Sequence, residues 1–439
     1  DWYIWRDPRP GFVGGEAGAE PNNWGSFFSG SAWAWDEDTS QYYLHLFHKK
    51  QPDLNWDSPE VRAAVYEMMN WWLDRGVDGF RMDVINLISK DPGLPDGIVY
   101  PGRAWGEGFP HFSEGPHLHE YLAEMRREVF EGRSGTMTVG ECPGVRRDNV
   151  LLFTDPARRE LDMVFQFDHV DLGLEAGKFH PRPLRAGELA DCLSAWQEAQ
   201  GEVGWNSLYL DNHDQPRAVS RFGDEAWHDE SATALATALH LLRGTPYVYQ
   251  GEELGMTNSV FGGIEDYRDV EALRYYNEAV AAGEAPESVL EGLALTGRDN
   301  ARTPVQWDAG PNAGFTDGTP WIGVTPNYKE INAAAQVNDP SSVYAYYRAL
   351  ADIRHGLPVI AVGAYERIAT PSPAVFAYRR TLGEAVATIL VNLSSEPASL
   401  GDAARGVSGE LILSNRDLPE EDRGVPTVLE PWEARVYLA

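Results

Sequence analysis

The chain has 439 residues, of which 43% are hydrophobic, so it is long enough for a large catalytic domain and a smaller one. Its 67 acidic and 36 basic residues give a formal net charge of −31, which argues against nucleic acid or an anionic membrane as a partner. It has only two cysteines, which imply no disulfide framework, and no apolar run reaches the roughly 20 residues of a membrane span, so we expect a cytoplasmic protein.

The N-terminal part of the chain predicts little regular structure. Residues 1–56 are rich in Trp, Gly, Pro, Asn and Ser, which predicts irregular structure with a few short strands. A helix is expected next, because Ser58 is a favourable N-cap, Pro59 suits the first helical position, and apolar residues recur at helical spacing until Gly76.

Residues 77–84, with the sequence Val-Asp-Gly-Phe-Arg-Met-Asp-Val, predict a short buried strand. Arg81 and Asp83 are two residues apart, so they share one face of an extended segment and place a charged pair where the strand finishes. A lone carboxylate there is more typical of a turn. However, two later strands, residues 136–141 and 206–214, also end in carboxylates. Carboxylates at the ends of several short strands, with helices between them, are typical of the catalytic rim of a (β/α) barrel.

Strands and helices alternate through the middle of the chain, which predicts parallel strands with right-handed crossovers. A long insertion, about residues 254–340, precedes the last helix of this pattern. Beyond Gly356, short apolar segments between turns predict an antiparallel β domain of about 80 residues. The further predicted strands are residues 162–168 and 245–253, and the predicted helices are residues 118–129, 186–198, 232–242 and 343–353.

Five motifs follow one another along the chain: Gly79-Phe80-Arg81-Met82-Asp83-Val84, Val139-Gly140-Glu141, Asn212-His213-Asp214-Gln215-Pro216-Arg217, Gln250-Gly251-Glu252-Glu253 and residues 298–307. Together they resemble the α-amylase family of glycoside hydrolases, and within it the oligo-1,6-glucosidase and dextran glucosidase branch. The likeness covers nearly the whole chain, and it is the order of several motifs that makes it specific.

The resemblance implies an α/β fold, a (β/α)8 TIM barrel with an irregular inserted domain and a C-terminal antiparallel β-sandwich. The five predicted strands would be the fourth to the eighth, so we expect the first three βα units to be absent from this chain. The expected domains are the remainder of the inserted domain in residues 1–56, the barrel in residues 57–357 and the β-sandwich in residues 358–439. We expect a monomer that acts on an oligosaccharide and needs no cofactor or metal ion.

The resemblance also implies a retaining double displacement at an α-glucosidic bond. By position, Asp83 would be the nucleophile, Glu141 the general acid and base, and Asp214 the third carboxylate, which grips sugar hydroxyls and distorts the ring. Four further residues would bind the substrate or support the nucleophile: Arg81, Val84, His213 and Arg298.

The charged residues of these motifs have distinct expected tasks. Arg81 would hold Asp83 ionised, since a nearby cation favours a carboxylate, although a plain ion pair would also explain it. Glu141 needs the reverse, a pKa raised by burial and by neighbouring negative charge. Arg298 is preferred to Arg302 as the arginine that binds the terminal glucose.

Val84, the residue after the expected nucleophile, resembles branch members that cut α-1,6 bonds, whereas α-1,4-preferring glucosidases tend to carry a small residue or Thr. The expected substrates are therefore isomaltose and short isomalto-oligosaccharides. One alternative is trehalose-6-phosphate hydrolase, which shares a stretch like residues 83–90 but needs a phosphate pocket, and this acidic chain shows no obvious cluster of cations. An α-1,4-glucosidase and a non-catalytic, transporter-associated scaffold are the others; a sucrose isomerase is disfavoured because it carries Thr at this position.

Overall fold

The computed structural model describes residues 2–439, in which parallel strands alternate with helices in the middle of the chain and antiparallel strands lie towards both ends of the sequence. The chain divides into two units, one up to Phe167 and one from Asp168 onward. No helix within residues 2–439 is both long enough and apolar enough to cross a membrane.

The first unit combines a small antiparallel sheet, with strand order β1-β3-β2, and a parallel sheet, with strand order β4-β5-β6. Its strands are β1 (Trp5–Arg6), β2 (Trp33–Asp36), β3 (Gln41–Leu44), β4 (Gly79–Met82), β5 (Met137–Glu141) and β6 (Met163–Phe165). Its helices are α1 (Pro59–Leu73), α2 (Phe109–Phe112), α3 (Leu118–Met125), which a π-helical turn at Arg126–Phe130 extends, and α4 (Leu151–Thr154).

Helix α1 forms where the sequence predicts it, because its ends carry the expected signals. The Ser58 hydroxyl accepts a hydrogen bond from the Val61 N–H at 3.5 Å, and Pro59 opens the first turn. After Leu73 the chain turns at Gly76, whose φ of 94° is a left-handed conformation that glycine adopts without a steric penalty. The chain leaves the helix at this turn and continues into β4.

The parallel pairing of β4 and β5 brings their carboxyl ends to one edge of the sheet. Gly79 is opposite Met137 and Met82 is opposite Gly140. A Cβ at Gly79 would lie 1.9 Å from the Met137 carbonyl oxygen, so only glycine permits this close approach of the strands. The residues that follow Met82 therefore lie beside Glu141, the last residue of β5.

The predicted strand of residues 77–84 is too long, and the expectation that Arg81 and Asp83 share one face of an extended strand is wrong. Strand β4 ends at Met82, and Val84 has left-handed dihedral angles, with φ 37° and ψ 43°. The Leu87 N–H donates to the Val84 carbonyl at 2.9 Å and begins a turn. Asp83 therefore belongs to a tight turn at the sheet edge.

The second unit contains a short parallel pair, β7-β8, several helices and the C-terminal sheets. Its helices are α5 (Glu188–Gln200), α6 (Ala218–Phe222), α7 (His228–His240), α8 (Val270–Ala281), α9 (Pro286–Thr296), α10 (Ala333–Gln336), α11 (Val343–Gly356) and α12 (Pro358–Val362). Its strands are β7 (Ser207–Leu208), β8 (Thr245–Pro246), β9 (Ala364–Ile368), β10 (Val375–Leu382), β11 (Ala385–Asn392), β12 (Ala398–Ser399), β13 (Glu410–Ser414), β14 (Val428–Leu429) and β15 (Ala434–Leu438).

Two predicted strands of this unit, residues 206–214 and 245–253, shrink to the two-residue strands β7 and β8. In the first, the Asn212 side-chain oxygen accepts the Asp214 N–H at 2.8 Å, which folds the backbone into a turn. In the second, Gly251 has a φ of 92° and begins a helical turn. The polar ends of both segments are consequently loops.

The C-terminal residues form the predicted antiparallel domain, with strand order β13-β15-β11-β10-β9. Both faces of its central strands are buried, since Ile389 packs in one hydrophobic cluster and Leu390 in another. The two-stranded sheet β12-β14 adds Ala398 and Leu429 to the second cluster. Burial on both sides explains why β11 is a nearly continuous apolar run.

Candidate active site

In the first unit, one guanidinium joins two carboxylates at the edge of the parallel sheet. Arg81 Nη1 binds Asp83 Oδ1, and Arg81 Nη2 lies 2.7 Å from Glu141 Oε2. The two acids differ in environment, because the Asp83 side chain is 73% exposed and the Glu141 side chain only 10%. Arg81 therefore pairs with two carboxylates at once, the exposed Asp83 and the buried Glu141.

Val84 also belongs to this group, through its backbone. Its N–H donates to Glu141 Oε2 at 3.1 Å, while its side chain packs against the apolar cluster around Trp24 and Leu87. A β-branched residue in the left-handed region costs on the order of 1–3 kcal/mol and persists only where surrounding contacts fix it. Strained backbone of this kind is concentrated at functional sites.

The environment of Glu141 alters its acidity. Burial raises the pKa of Glu141 to about 7, although the Arg81 charge and the Val84 N–H oppose the rise and Asp83 adds to it. Close to neutral pH this carboxyl can therefore both donate and accept a proton. The neighbouring Cys142 is buried, which raises the pKa of its thiol, so it is a packing residue and not a nucleophile.

In the second unit, Asp214 is surrounded by cationic and imidazole nitrogens. Its Oδ1 accepts hydrogen bonds from Arg302 Nη2 at 2.6 Å and from Arg298 Nη1 at 3.2 Å, and its Oδ2 lies 3.3 Å from His213 Nε2. Burial alone would raise the pKa of Asp214, but the charges of Arg298, His213 and Arg302 outweigh it and lower the pKa. Asp214 therefore remains a carboxylate that can accept hydrogen bonds from hydroxyl groups.

Sequence reasoning missed the acidic residues that hold these arginines. Asp269 Oδ1 lies 2.6 Å from Arg298 Nη2, and Glu271 Oε2 lies 3.2 Å from Arg298 Nε. Arg302, the second choice in the sequence, contacts Asp214 more closely than Arg298 does. The only local signal was a pair of acids two residues apart at the start of an amphipathic helix, and this signal is common in surface helices.

The motif loops of the second unit are held in place by Arg217, which is completely buried. Its Nη1 donates to the Gln250 carbonyl at 2.7 Å and its Nη2 to the Ala301 carbonyl at 3.3 Å. One side chain thereby joins the loop that carries Asp214 to two other motifs. Glu252 is also buried and accepts the Tyr347 hydroxyl at 2.8 Å, which gives it a structural role.

Comparison with known proteins yields matches along the whole chain. A model of the alpha amylase catalytic domain matches residues 1–363. The oligo-1,6-glucosidase of Parageobacillus thermoglucosidasius is 53% identical over 442 residues, which cover 100% of this chain and 77% of that protein. The trehalose-6-phosphate hydrolase of Bacillus subtilis (strain 168) is 44% identical over 444 residues, which cover 100% of this chain and 76% of that protein.

A solved structure is similar over the whole chain as well. The crystal structure of Bacillus licheniformis trehalose-6-phosphate hydrolase matches with a TM-score of 0.88 and 43% identity, and the match covers 100% of this chain and 78% of that one. Together with the alpha amylase match, this similarity assigns the chain a TIM barrel followed by a C-terminal β domain.

Proposed function

Because the chain belongs to the α-amylase family of glycoside hydrolases, as its motifs predict, we propose that it is an oligo-1,6-glucosidase. It removes single glucose units from isomaltose and short isomalto-oligosaccharides with retention of the α-configuration. The proposal rests on the pairing of Arg81 with an exposed carboxylate, Asp83, and a buried one, Glu141, together with the valine that directly follows Asp83. Relatives named oligo-1,6-glucosidase, at 44–53% identity over the whole chain, support it.

In the first step, Asp83 attacks the anomeric carbon, and a carbon–oxygen bond to Asp83 forms as the bond to O6 of the departing sugar breaks. Glu141 gives its proton to that O6. In the second step, Glu141 removes a proton from water, the water oxygen attacks the same carbon, and Asp83 leaves as a carboxylate. Two inversions give net retention.

The change of role at Glu141 follows from its neighbours. In the free enzyme, burial and the negative charge of Asp83 raise the pKa of Glu141, so the acid keeps its proton. Once Asp83 has formed an ester with glucose, that negative charge is gone and the proton is held less tightly. The same carboxyl then serves as the base that activates water.

The group around Asp214 binds the glucose unit that is released. Asp214 stays ionised and accepts hydrogen bonds from sugar hydroxyls, and His213, which is half-exposed beside it, donates one. Arg298, held by Asp269, is a rigid donor to the same glucose. Rigid donors and acceptors lower the barrier because they need no rearrangement when charge develops.

The pH dependence of turnover is expected to report Glu141. With isomaltose, kcat/KM should fall as the pH rises through about 7, because the protonated acid is the active form and its pKa in the free enzyme is about 7. An aryl glucoside with an acidic leaving group needs little proton donation, so its alkaline fall should be weaker. The measurement is kcat/KM for both substrates from about pH 4 to about pH 9. A flat isomaltose profile to the alkaline end would contradict the role of Glu141.

Val84→Thr is expected to raise the ratio of maltose to isomaltose kcat/KM by about tenfold, since small changes in a substrate-contacting side chain shift discrimination by about 1–3 kcal/mol. The control is Val77→Thr, which makes the same change at an exposed position before β4. Kinetics on both disaccharides decide the outcome. An unchanged ratio would show that Val84 does not set linkage preference.

The alternative of a trehalose-6-phosphate hydrolase requires cations that are free to bind phosphate. Lys178, which reaches the Arg298 group through Glu271, pairs with that glutamate at 2.6 Å. Arg182 is likewise held by Glu188 at 2.8 Å. Because each of these two cations already pairs with a carboxylate, neither offers a free charge to a phosphate group.

Glucose release from isomaltose, maltose and trehalose 6-phosphate, measured in parallel with the full-length protein, tests the function. A preference for isomaltose supports the oligo-1,6-glucosidase. A preference for either other substrate replaces it with the corresponding hydrolase, and no turnover of any of the three would favour the non-catalytic scaffold.

We further propose that β4 to β8 are the fourth to eighth strands of a (β/α)8 barrel whose first three βα units lie outside residues 1–439. An exposed apolar face on α1, formed by Met68, Trp71 and Trp72, supports this, because barrel helices bury such faces against their neighbours. The domains are then residues 1–56 of an inserted irregular domain, residues 57–357 of the barrel and residues 358–439 of a β-sandwich.

A further inference from the structure

We propose, building on the glucosidase function given above, that Asp269 is a positioning residue that holds Arg298 and Arg302 against Asp214. The five motifs that carry the family resemblance do not include Asp269. It acts on substrate only through the two arginines. Its shortest contact, 2.6 Å to Arg298 Nη2, is as short as the one between Arg302 Nη2 and Asp214 Oδ1.

Asp269 grips Arg298 with both carboxylate oxygens. Oδ1 lies 2.6 Å from Arg298 Nη2 and Oδ2 lies 2.9 Å from Arg298 Nε, which is a bidentate pair. Oδ1 also lies 3.4 Å from Arg302 Nη1. The side chain of Asp269 is only 2% exposed, so solvent does not weaken these contacts.

The same two arginines converge on one oxygen of Asp214. Arg298 Nη1 and Arg302 Nη2 both donate to Asp214 Oδ1, while Oδ2 faces His213. Two cations thus lie between two carboxylates, and each carboxylate limits how far the arginines move towards the other. Without the charge of Asp269, the two arginines would lose one of the two carboxylates that set their positions beside Asp214.

Hydrogen bonds to Asp299 hold the backbone at Asp269 in place. The N–H groups of Arg268 and Asp269 donate to the Asp299 carboxylate at 3.2 Å and 3.1 Å, and Asp299 is completely buried next to Arg298 in the sequence. Asp269 occupies the N-cap position of α8, yet its side chain makes no capping hydrogen bond. An N-cap aspartate normally accepts hydrogen bonds from the first N–H groups of its helix. Here the carboxylate binds arginine instead, and the helix has no side-chain cap.

Asp269→Asn tests the proposal, because the amide keeps the size of the side chain and removes its charge. We expect kcat/KM for the best glucoside to fall about 10²-fold, the typical cost of misplacing substrate-binding groups. The inhibition constant for glucose should rise as well, since Arg298 and Asp214, which bind the released glucose, depend on Asp269 for their positions. A purely structural ion pair would leave that inhibition constant unchanged in the folded protein.

Glu433→Gln is the matched control. Glu433 is a 1% exposed carboxylate that pairs with Arg435 Nε at 2.7 Å in the C-terminal sheet, so the control also removes one charge from a buried pair. It should lower the thermal midpoint but keep kcat/KM within about twofold of wild type. Equal loss of activity in the two variants, or unchanged glucose inhibition in Asp269→Asn, would overturn the proposal.

If Asp269→Asn does not fold, Asp269→Glu replaces it as the test variant. It keeps the charge and displaces the carboxylate by one methylene, so the bidentate geometry is lost while the buried charge balance remains. We expect kcat/KM to fall about tenfold or more, and wild-type kinetics would contradict the proposal. Turnover of the three glucosides by the wild-type protein tests the proposed function. The ratio of kcat/KM between variant and wild type, on whichever glucoside is cleaved, tests the role of Asp269.

Discussion

Asp83→Asn is expected to lower kcat for isomaltose by about 10⁴-fold or more, because no other group can form the bond to the anomeric carbon. Its thermal midpoint should stay near that of wild type. The Asp83 side chain is 73% exposed, and exposed ion pairs such as the one with Arg81 contribute only about 0–1 kcal/mol to stability. Steady-state kinetics and thermal unfolding on the same preparation measure both effects.

The matched control for this variant is Asp78→Asn, since Asp78 is an exposed aspartate just before the same strand and Asp83 follows its other end. It should behave as wild type in both assays. Chemical rescue adds a sharper test. In Asp83→Gly, azide can enter the vacated space and attack α-glucosyl fluoride, and the product should be the β-glucosyl azide because a single displacement inverts the anomeric centre. An α-azide as the product would remove Asp83 from the role of nucleophile.

Local signals in the sequence were sufficient to predict several elements and their ends. Helix α1 begins at the predicted Ser58 cap and ends before the predicted Gly76, since capping is decided by residues within one turn. The antiparallel C-terminal domain was also predicted, because short apolar segments between turns define its strands. Strand β9 was missed, as Ala364–Ile368 has Glu and Arg at its centre and forms an edge of the sheet.

Long-range contacts, in contrast, decided what the sequence could not predict. Val84 was expected at the end of a strand, but its backbone is left-handed and its N–H donates to Glu141, which is 57 residues away in sequence. Asp269 was not singled out because its partner Arg298 is 29 residues further along the chain. The candidate catalytic residues could be named from motifs alone, whereas the side chains that position them became visible only with the fold.

Glu141→Gln is expected to reduce kcat/KM for isomaltose by about 10³-fold, because the O6 leaving group is a poor one unless it is protonated. The same variant should attack α-glucosyl fluoride at a rate much closer to that of wild type, since fluoride departs without a proton. The second step still needs a base, so the glucosyl-enzyme on Asp83 should accumulate and give a burst of fluoride release. Pre-steady-state kinetics with the two substrates separate these effects.

Azide distinguishes Glu141 from Asp83 by stereochemistry. In Glu141→Gln, azide replaces water in the second displacement, so the product should be the α-glucosyl azide, opposite to that from Asp83→Gly. The control is Glu160→Gln, a buried glutamate of the same unit that pairs with Arg158 at 2.7 Å. It should affect stability and leave the ratio of isomaltose to glucosyl fluoride activity unchanged. A similar loss in the rate of the first step with both substrates in Glu141→Gln would argue against a general acid.

The pH dependence of stability gives an independent measure of the pKa of Glu141. Its pKa is about 7 in the folded protein and about 4.3 in an unfolded chain, so the folded state binds the proton more tightly. The stabilisation from this proton is complete below about pH 4 and is lost as the pH rises through about 7, a change of up to roughly 3–4 kcal/mol. Glu141→Gln cannot titrate, so its thermal midpoint relative to wild type should improve from acidic to alkaline pH. If the difference between the two midpoints stays constant with pH, Glu141 is not an acid of raised pKa, and the proton for the leaving group must come from another residue.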